Sequence, residues 1–244
     1  MRKSVSYLDF ALIDSLNAER FRATKPYPWV NPIGCLTSDG FQALHATLPP
    51  VERFTRIFGK ERSHGQPSHD RFALEYDETL DFSKPWRDFI AELESDRYAR
   101  FLRRMIGHGN LSISFHWHYT PNGCSVSPHC DAMHKLGSHI FYFNTEDDWD
   151  PGWGGETLVL DDHGRFDPKS APAFEDFDAS AASSSLGNSS LLFVRGESSW
   201  HGVREIRCPP DRYRKVFIVV INDKLRLAAK DLWARVRGKR AAAY

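Results

Sequence analysis

The chain has 244 residues, of which 41% are apolar and 26% charged, a composition typical of a folded globular protein and not of a disordered or collagen-like chain. Lys plus Arg and Asp plus Glu both number 32, and the formal net charge of zero gives no overall attraction to nucleic acid or to an anionic membrane. No apolar run approaches the roughly 20 residues of a membrane span, and the four scattered cysteines form neither a disulfide framework nor a CxxC zinc motif. Asp9 interrupts the amino-terminal apolar stretch and makes it a poor signal peptide, so we expect a cytoplasmic protein.

The first 110 residues predict helices separated by loops. A capped start at Thr37 followed by apolar residues at helical spacing predicts a helix over 37–48. A longer apolar stripe predicts one helix that opens at Ser83 and ends at Gly107. The polar residues 60–70 predict a loop.

The hydrophobic period changes after residue 110. Apolar side chains alternate with Ser and His over 111–119, which predicts a strand with one buried face and leaves His116 and His118 on its polar face with no expected function. Further short strands are predicted at 138–144, 156–160, 190–195 and 214–221. Several short strands at such spacing favour an antiparallel sandwich or barrel. The Ser/Ala-rich residues 179–190 predict a loop.

These changes of pattern suggest one domain, 1–244, in three parts. Residues 1–110 would form a mixed, helical support, and residues 111–223 a β core. Residues 224–244 are rich in Lys and Arg and predict a basic carboxy-terminal helix or tail.

The sharpest local motif is His129-Cys130-Asp131. In a strand, residues two apart point to the same face, so this motif aims an imidazole and a carboxylate at one point. His201, which lies between two strand-like runs, is the candidate third ligand. Two histidines and one carboxylate on one face of an octahedron leave the opposite positions open, the geometry of non-haem Fe(II) oxygenases.

The order of the motifs resembles one family. The chain is similar to the 2-oxoglutarate/Fe(II)-dependent dioxygenase superfamily, in particular its prolyl-hydroxylase-like branch, over about residues 111–223. The matching segments, in chain order, are His129-Cys130-Asp131, Tyr142-Phe143-Asn144, Trp153-Gly154-Gly155-Glu156, His201-Gly202-Val203, and a basic residue that opens the last strand, Arg212 or Arg214.

The resemblance implies a fold and a reaction. The fold would be mainly β with flanking helices: a double-stranded β-helix, or jelly-roll (cupin-like) barrel, buttressed by the amino-terminal helices. Fe(II) would be held by His129, Asp131 and His201, which are also the expected catalytic residues. With O2, the enzyme would couple the decarboxylation of 2-oxoglutarate to succinate and CO2 with hydroxylation of an unactivated C–H, with ascorbate as a candidate reductant.

The resemblance also implies contacts to 2-oxoglutarate. Its far carboxylate needs a buried cation, and the planar fork of Arg suits a carboxylate. We prefer Arg214 to Arg212, because Arg214 begins an alternation that keeps the inward face of the last strand apolar. Tyr119 and Tyr142 match hydrogen-bonding positions of the family and would reach 2-oxoglutarate from the barrel wall.

The primary substrate stays open between a protein or peptidyl residue, proline included, and a small molecule. Nucleic acid is disfavoured as a substrate. The resemblance implies that members acting on nucleic acid carry a second Arg six residues after the first in the last strand, and here positions 218 and 220 are Ile and Val. Substrate contacts are expected from the loops 60–70, 145–153 and 179–190. Two alternatives remain: a cupin-like metal-dependent oxygenase that does not use 2-oxoglutarate, and a non-catalytic sensor of iron and 2-oxoglutarate.

Overall fold

The computed structural model describes residues 6–236 as a helical layer packed on two antiparallel sheets. The helices are α1 (Phe10–Ser15), α2 (Ala18–Ala23), α3 (Ser38–His45), α4 (Lys84–Leu93), α5 (Asp96–Ile106) and α6 (Lys224–Val236). Short 3-10 turns lie at Val51–Arg53, Ser63–Gly65, Pro151–Trp153 and Phe174–Asp176.

The strands form one large and one small sheet. They are β1 (Trp29–Val30), β2 (Thr55–Ile57), β3 (Arg71–Glu75), β4 (Leu111–Pro121), β5 (Val126–His129), β6 (Lys135–Tyr142), β7 (Leu158–Asp161), β8 (Ala179–Ala182), β9 (Ser190–Val194), β10 (His201–Val203) and β11 (Tyr213–Asp223). The large sheet has the order β1-β9-β6-β11-β4-β3-β2, and the small sheet has the order β5-β10-β7-β8. The mainly β architecture with flanking helices is therefore confirmed.

The helix predicted from Ser83 to Gly107 is two helices. Ser95 has an extended backbone between α4 and α5, and its hydroxyl accepts a hydrogen bond from the backbone N–H of Tyr98. That cap starts a new helix and allows the chain to change direction. Gly107, in the left-handed region at φ 76°, ends α5 as predicted.

The strands predicted after residue 110 are confirmed, with small differences at their ends. The prediction of a loop over 179–190 is wrong at its beginning, because β8 pairs there with β7 as the edge strand of the small sheet. The composition did not predict this strand, because Ala and Ser have low strand propensity. Pairing with β7 holds these residues extended.

Helices α4 and α5 pack on one face of the large sheet through aromatic side chains. Trp86 of α4 lies with its ring centroid 5.0 Å from that of Trp117 of β4 and 5.2 Å from that of Phe217 of β11. All three side chains are fully buried. Aromatic pairs of this kind contribute about 0.5–1.5 kcal/mol each beyond their area burial, so this cluster fixes the helices on the sheet and leaves the other face of the sheet to a second role.

The two ends of the chain contribute strands as well as helices. Strands β1, β2 and β3 precede residue 111 and extend the large sheet. The predicted basic helix is present as α6, whereas 237–244 of the predicted tail lie outside the described residues. The single-domain interpretation stays a prediction. Within 6–236, no helix combines the length and the apolar character that crossing a membrane requires.

Candidate metal centre and its cavity

A cavity of about 550 Å³ lies between the two sheets. Its floor is the face of the large sheet opposite the helices, where β11 contributes Arg214 and then Val216, Ile218 and Val220 at every second position. The alternation in the last strand predicted this register. The volume of the cavity is within the range of small-molecule sites, about 300–1,000 Å³.

Three candidate ligands meet at one wall of this cavity. His129 ends β5, His201 begins β10, and the two residues are direct partners in the antiparallel pairing. Their ring centroids are 4.3 Å apart. One ligand atom each from His129, Asp131 and His201 lies within 4.8 Å of the others, and within the described chain this is the one such cluster of His, Cys, Asp and Glu.

Backbone carbonyls orient both imidazoles. Nδ1 of His129 lies 3.0 Å from the carbonyl oxygen of Ser127, and Nδ1 of His201 lies 3.0 Å from that of Ser199. A carbonyl only accepts, so each Nδ1 carries the proton and donates it, which leaves each Nε2 lone pair for a metal. Hydrogen bonding of the second ring nitrogen is usual for metal-bound histidines.

The protonation states also fit a divalent cation. Burial lowers the pKa of His129 well below its usual range and lowers that of His201, so both rings are neutral near pH 7. Burial raises the pKa of Asp131, but the Lys135 ammonium and the two imidazoles more than offset this, so the pKa lies below its ordinary value. Lys135 Nζ donates to Asp131 Oδ1 at 2.7 Å. Two neutral imidazoles and an ionised carboxylate form the donor set that Fe(II) oxygenases use.

Arg214 lies in the same cavity and is 6% exposed. Its Nε donates to the carbonyl oxygen of Gly155, and its Nη2 donates to Thr157 Oγ1 at 3.0 Å. Its guanidinium carbon lies 5.4 Å from the centroid of the Tyr142 ring. Within the described residues it forms no ion pair with a carboxylate. Its hydrogen bonds go to neutral groups, although the Glu156 carboxylate partly opposes the lowering of its pKa by burial. A buried guanidinium without an ion pair suits an anionic ligand.

The Gly-Gly pair of the WGGE motif makes room for Arg214. Gly154 and Gly155 have φ of 80° and 105°, a conformation that strains other residues. A Cβ on Gly155 would meet the Arg214 side chain at 3.4 Å. The motif therefore brings the Gly155 carbonyl against the guanidinium.

Tyr142 lies beside this arginine, as expected, but its hydroxyl is already partnered. It donates to Thr157 Oγ1 at 2.8 Å and lies 2.9 Å from Ser183 Oγ. Because Thr157 also accepts from Arg214, Tyr142 is connected to the guanidinium through that hydroxyl.

The structure separates the other two predicted 2-oxoglutarate contacts from the cavity. Arg212 lies on the turn before β11, where it is partly exposed and faces Asp211. The expectation that Tyr119 lines the barrel interior is wrong, because its ring packs on the helical side against Phe54, at 4.3 Å between centroids. Its hydroxyl donates to the carbonyl oxygen of Pro49 at 3.0 Å.

The reason for the error at Tyr119 is the orientation of β4. Its apolar face, which includes Trp117, contacts the helices, and its polar face, with His116 and His118, lines the cavity. Both faces are buried, so the two-residue period shows that the faces differ but not which one points into the barrel. Burial lowers the pKa of His116 to about 3 and that of His118 well below its usual range, so both rings are neutral.

Sequence reasoning also missed three basic residues before β4. They are Arg62, His69 and Arg71, which line the cavity next to the candidate metal ligands, and the His69 ring centroid is 4.6 Å from that of His129. His69 Nε2 lies 2.9 Å from Ser127 Oγ. The predicted substrate loop 60–70 includes Arg62 and His69, but no sequence pattern identified these side chains as site residues. Among the described residues, the loops 145–153 and 179–190 do not line this cavity.

No protein-family model and no curated protein sequence matches the chain. Solved structures do match. A prolyl-4-hydroxylase from Pseudomonas putida is 16% identical over 80% of this chain and 91% of its own, with a TM-score of 0.55. A prolyl hydroxylase from Trichoplax adhaerens, solved with a hypoxia-inducible-factor peptide fragment, is 13% identical over 90% of this chain and 92% of its own, with a TM-score of 0.60. The non-haem α-ketoglutarate-dependent epimerase SnoN of nogalamycin biosynthesis is 16% identical over 87% and 81%, with a TM-score of 0.58.

These similarities establish the fold. The chain has the jelly-roll fold of the 2-oxoglutarate (α-ketoglutarate) oxygenases and is prolyl-hydroxylase-like in architecture. At such low identities they do not assign a reaction, which has to be argued from the cavity itself.

Proposed function

We propose that this protein is an Fe(II)- and 2-oxoglutarate-dependent dioxygenase that hydroxylates an unactivated C–H bond. The carrying observation is that the His129, Asp131 and His201 cluster shares one cavity with Arg214, a buried cation without a carboxylate partner. The balanced reaction converts R–H, 2-oxoglutarate and O2 into R–OH, succinate and CO2.

The three ligands would hold Fe(II) through Nε2 of His129, Nε2 of His201 and a carboxylate oxygen of Asp131. Bound there, the iron would supply the O2 activation and the oxidation of 2-oxoglutarate. The Ser127 and Ser199 carbonyls keep the histidines in the required tautomer. Lys135 keeps the carboxylate ionised and oriented through its Oδ1. The protein's contribution is thus a preorganised donor set that needs no proton release from the histidines on metal binding.

Arg214 would bind the far carboxylate of 2-oxoglutarate. Its Nε and one Nη2 hydrogen bond are used by Gly155 and Thr157, which fix the guanidinium plane. Tyr142 would act through Thr157 as a positioning residue. Since Arg212 lies outside the cavity, we propose Arg214 alone as the anchor.

We propose a primary substrate that is either a peptidyl residue or a small molecule. One similar structure is a complex with a peptide fragment, and another is an α-ketoglutarate-dependent epimerase from nogalamycin biosynthesis. The cavity accommodates a small molecule or one peptide side chain beside 2-oxoglutarate. We also propose a cytoplasmic location, supported by four cysteines that are all free.

The deciding experiment is an anaerobic titration with Fe(II) and 2-oxoglutarate, followed by the weak metal-to-ligand charge-transfer absorption in visible light. We expect a band that requires both components and is lost in Asp131→Ala. Asp211→Ala, which removes an exposed carboxylate on the turn before β11, is the matched control and should keep the band. Succinate release would then identify the substrate.

Two results would contradict the proposal. Fe(II) binding without any band at saturating 2-oxoglutarate would favour a metal-dependent oxygenase that does not use this co-substrate. A band in the absence of succinate release with every substrate class tested, peptides and small molecules alike, would favour a sensor.

A further inference from the structure

Asn222 brings a carboxamide without a hydrogen-bonding partner to the cavity. It is 4% exposed and continues the cavity face of β11 one step beyond Val220. Among residues 6–236, no group donates to its side-chain oxygen or accepts from its side-chain nitrogen. Burying a carboxamide without partners costs free energy, which makes Asn222 a candidate contact for a polar ligand.

Two serine hydroxyls lie beside Asn222 on the same face of the large sheet. Ser112 is its direct partner on β4, and Ser138 of β6 is the partner of Val220, one row away. Both serines line the cavity. Ser112 Oγ is buried without a hydrogen bond to any described residue, and the Ser138 side chain, 4% exposed in total, has none either. This end of the cavity therefore offers three neighbouring groups that both donate and accept.

Asn222 lies on the opposite side of the candidate metal ligands from Arg214. Its neighbour on β6, across a bulge, is Lys135, whose Nζ donates to Asp131 Oδ1 at 2.7 Å. Arg214 is at the other end of the cavity face of β11. Under the proposed function, 2-oxoglutarate extends from the metal towards Arg214. The floor at Asn222 then remains for the primary substrate.

The charged groups at this end of the cavity offset one another. Lys135 is paired with Asp131. Lys230 and Asp231, consecutive residues of α6, line the cavity with opposite charges, and Lys230 Nζ also lies 3.5 Å from Nε2 of His134. A site with so little net charge favours a neutral polar group over an ion.

We propose that the primary substrate carries a neutral carboxamide that binds to Asn222. Two carboxamides are complementary, because each presents a carbonyl acceptor beside N–H donors. The Ser112 and Ser138 hydroxyls are placed to complete the hydrogen bonds of the substrate amide. Ile218 and Val220 provide an apolar surface for the adjoining hydrocarbon, whose C–H bonds then lie beside the metal ligands. This inference rests on the proposed function for the assignment of Arg214 to 2-oxoglutarate.

The test measures binding, without turnover. The protein is saturated with Mn(II) and 2-oxoglutarate under anaerobic conditions and titrated calorimetrically with amides from two sources. Hexanamide and phenylacetamide represent small molecules, and N-acetylglutamine N-methylamide represents a peptide side chain. Each amide is compared with the corresponding acid. The two small amides are also compared with 2-heptanone and phenylacetone, which keep the carbonyl and lack the N–H donors.

We expect at least one amide to bind about tenfold or more tightly than its relatives. The ketones lose hydrogen bonds, and the acids bring a charge that this end of the cavity does not compensate. A preference confined to the glutamine derivative assigns the amide to a peptide, and one shown by hexanamide or phenylacetamide assigns it to a small molecule.

Asn222→Leu should reduce the amide preference by about tenfold, and Ser112→Ala should reduce it by about threefold. Each substitution removes a buried polar group that has no partner, so neither should lower the free energy of unfolding of the free protein. A merely structural role would instead show as lost stability in urea unfolding. Asn122→Leu makes the same change at an exposed turn outside the cavity and is the matched control. Retained binding of Mn(II) and 2-oxoglutarate shows that each variant is folded.

The outcomes separate the two proposals. If 2-oxoglutarate binds but no amide exceeds its relatives, or the preference survives in Asn222→Leu, the amide inference is overturned and the proposed function stands. Lost stability in Asn222→Leu with unchanged amide binding overturns it as well. If 2-oxoglutarate fails to bind while the amides still depend on Asn222, the amide site stands and the co-substrate assignment fails.

Discussion

The two faces of the large sheet are both buried, yet they serve different purposes. On the helical face, Trp117 and Phe217 are in ring contact, with centroids 4.9 Å apart, within a continuous apolar core. On the opposite face, the neighbouring His118 and Arg214 line an open cavity. Polar side chains around a cavity can bind a ligand, whereas the packed apolar face contributes stability.

The largest expected effect tests the helical face. Trp117→Ala should lower the free energy of unfolding by about 3–5 kcal/mol, because it empties a large part of a packed aromatic cluster. Urea unfolding measures it. His118→Ala, on the next residue, is the paired control and should cost clearly less, since its side chain borders a cavity. Equal losses at both positions would remove the distinction between the two faces.

The second prediction tests the cavity face. Arg214→Met should weaken 2-oxoglutarate binding by about 2–5 kcal/mol, because the ligand carboxylate would be buried without its cation. Calorimetry in the presence of Mn(II) measures this. Arg212→Met, a change of the same type on the exposed turn, should leave the affinity unchanged. If Arg212→Met gives the larger loss, the register of the anchor is wrong.

The third prediction concerns Lys135, which donates to Asp131 Oδ1. Lys135→Met should weaken metal binding by about 10–100-fold, because groups that orient metal ligands contribute on this scale. Without the ammonium, burial raises the pKa of Asp131, and protons compete with the metal. The loss should therefore grow as the pH falls. Lys230→Met changes a cavity lysine that lies near His134 instead and should not reproduce this pH dependence.

The fourth prediction concerns a histidine on the helical face. Burial lowers the pKa of His139 to about 3, and its Nδ1 lies 2.9 Å from the Tyr98 hydroxyl. The unfolded imidazole takes up a proton below about pH 6.5, whereas the folded one does so only near pH 3. The unfolded state therefore binds more protons in this window, and stability falls as the pH decreases, by up to about 1.4 kcal/mol per pH unit.

His139→Asn should reduce the difference in unfolding free energy between pH 7 and pH 5 by about 2 kcal/mol. Urea unfolding at both pH values provides the measurement. Tyr98→Phe keeps the buried imidazole and should keep most of the difference. An unchanged difference in His139→Asn would mean that other groups account for the acid sensitivity.

The sequence by itself determined the local features of this protein. The alternation after Arg214 follows from short-range geometry, since residues two apart in a strand share a face. The motif of His129 and Asp131 was also visible in the sequence, although β5 ends at His129 and Asp131 lies just beyond it. His201 was identified from the order of the motifs along the chain. The helix starts at Thr37 and Ser83 and the strands of the core are local features too, because caps, turns and periods act over a few residues.

Only the tertiary structure decided which face of β4 points inward. A period of two residues cannot choose between two buried faces, and the apolar face of β4 went to the helices because Trp86 and its neighbours offered the larger apolar surface. With this orientation of β4, Tyr119 lies outside the cavity and His118 lines it. Arg62 and Arg71 lie near the candidate metal ligands because β3 pairs with β4 and because a hydrogen bond to the Ser170 carbonyl holds the loop of Arg62. Such contacts join residues far apart in the chain, so no local pattern encodes them.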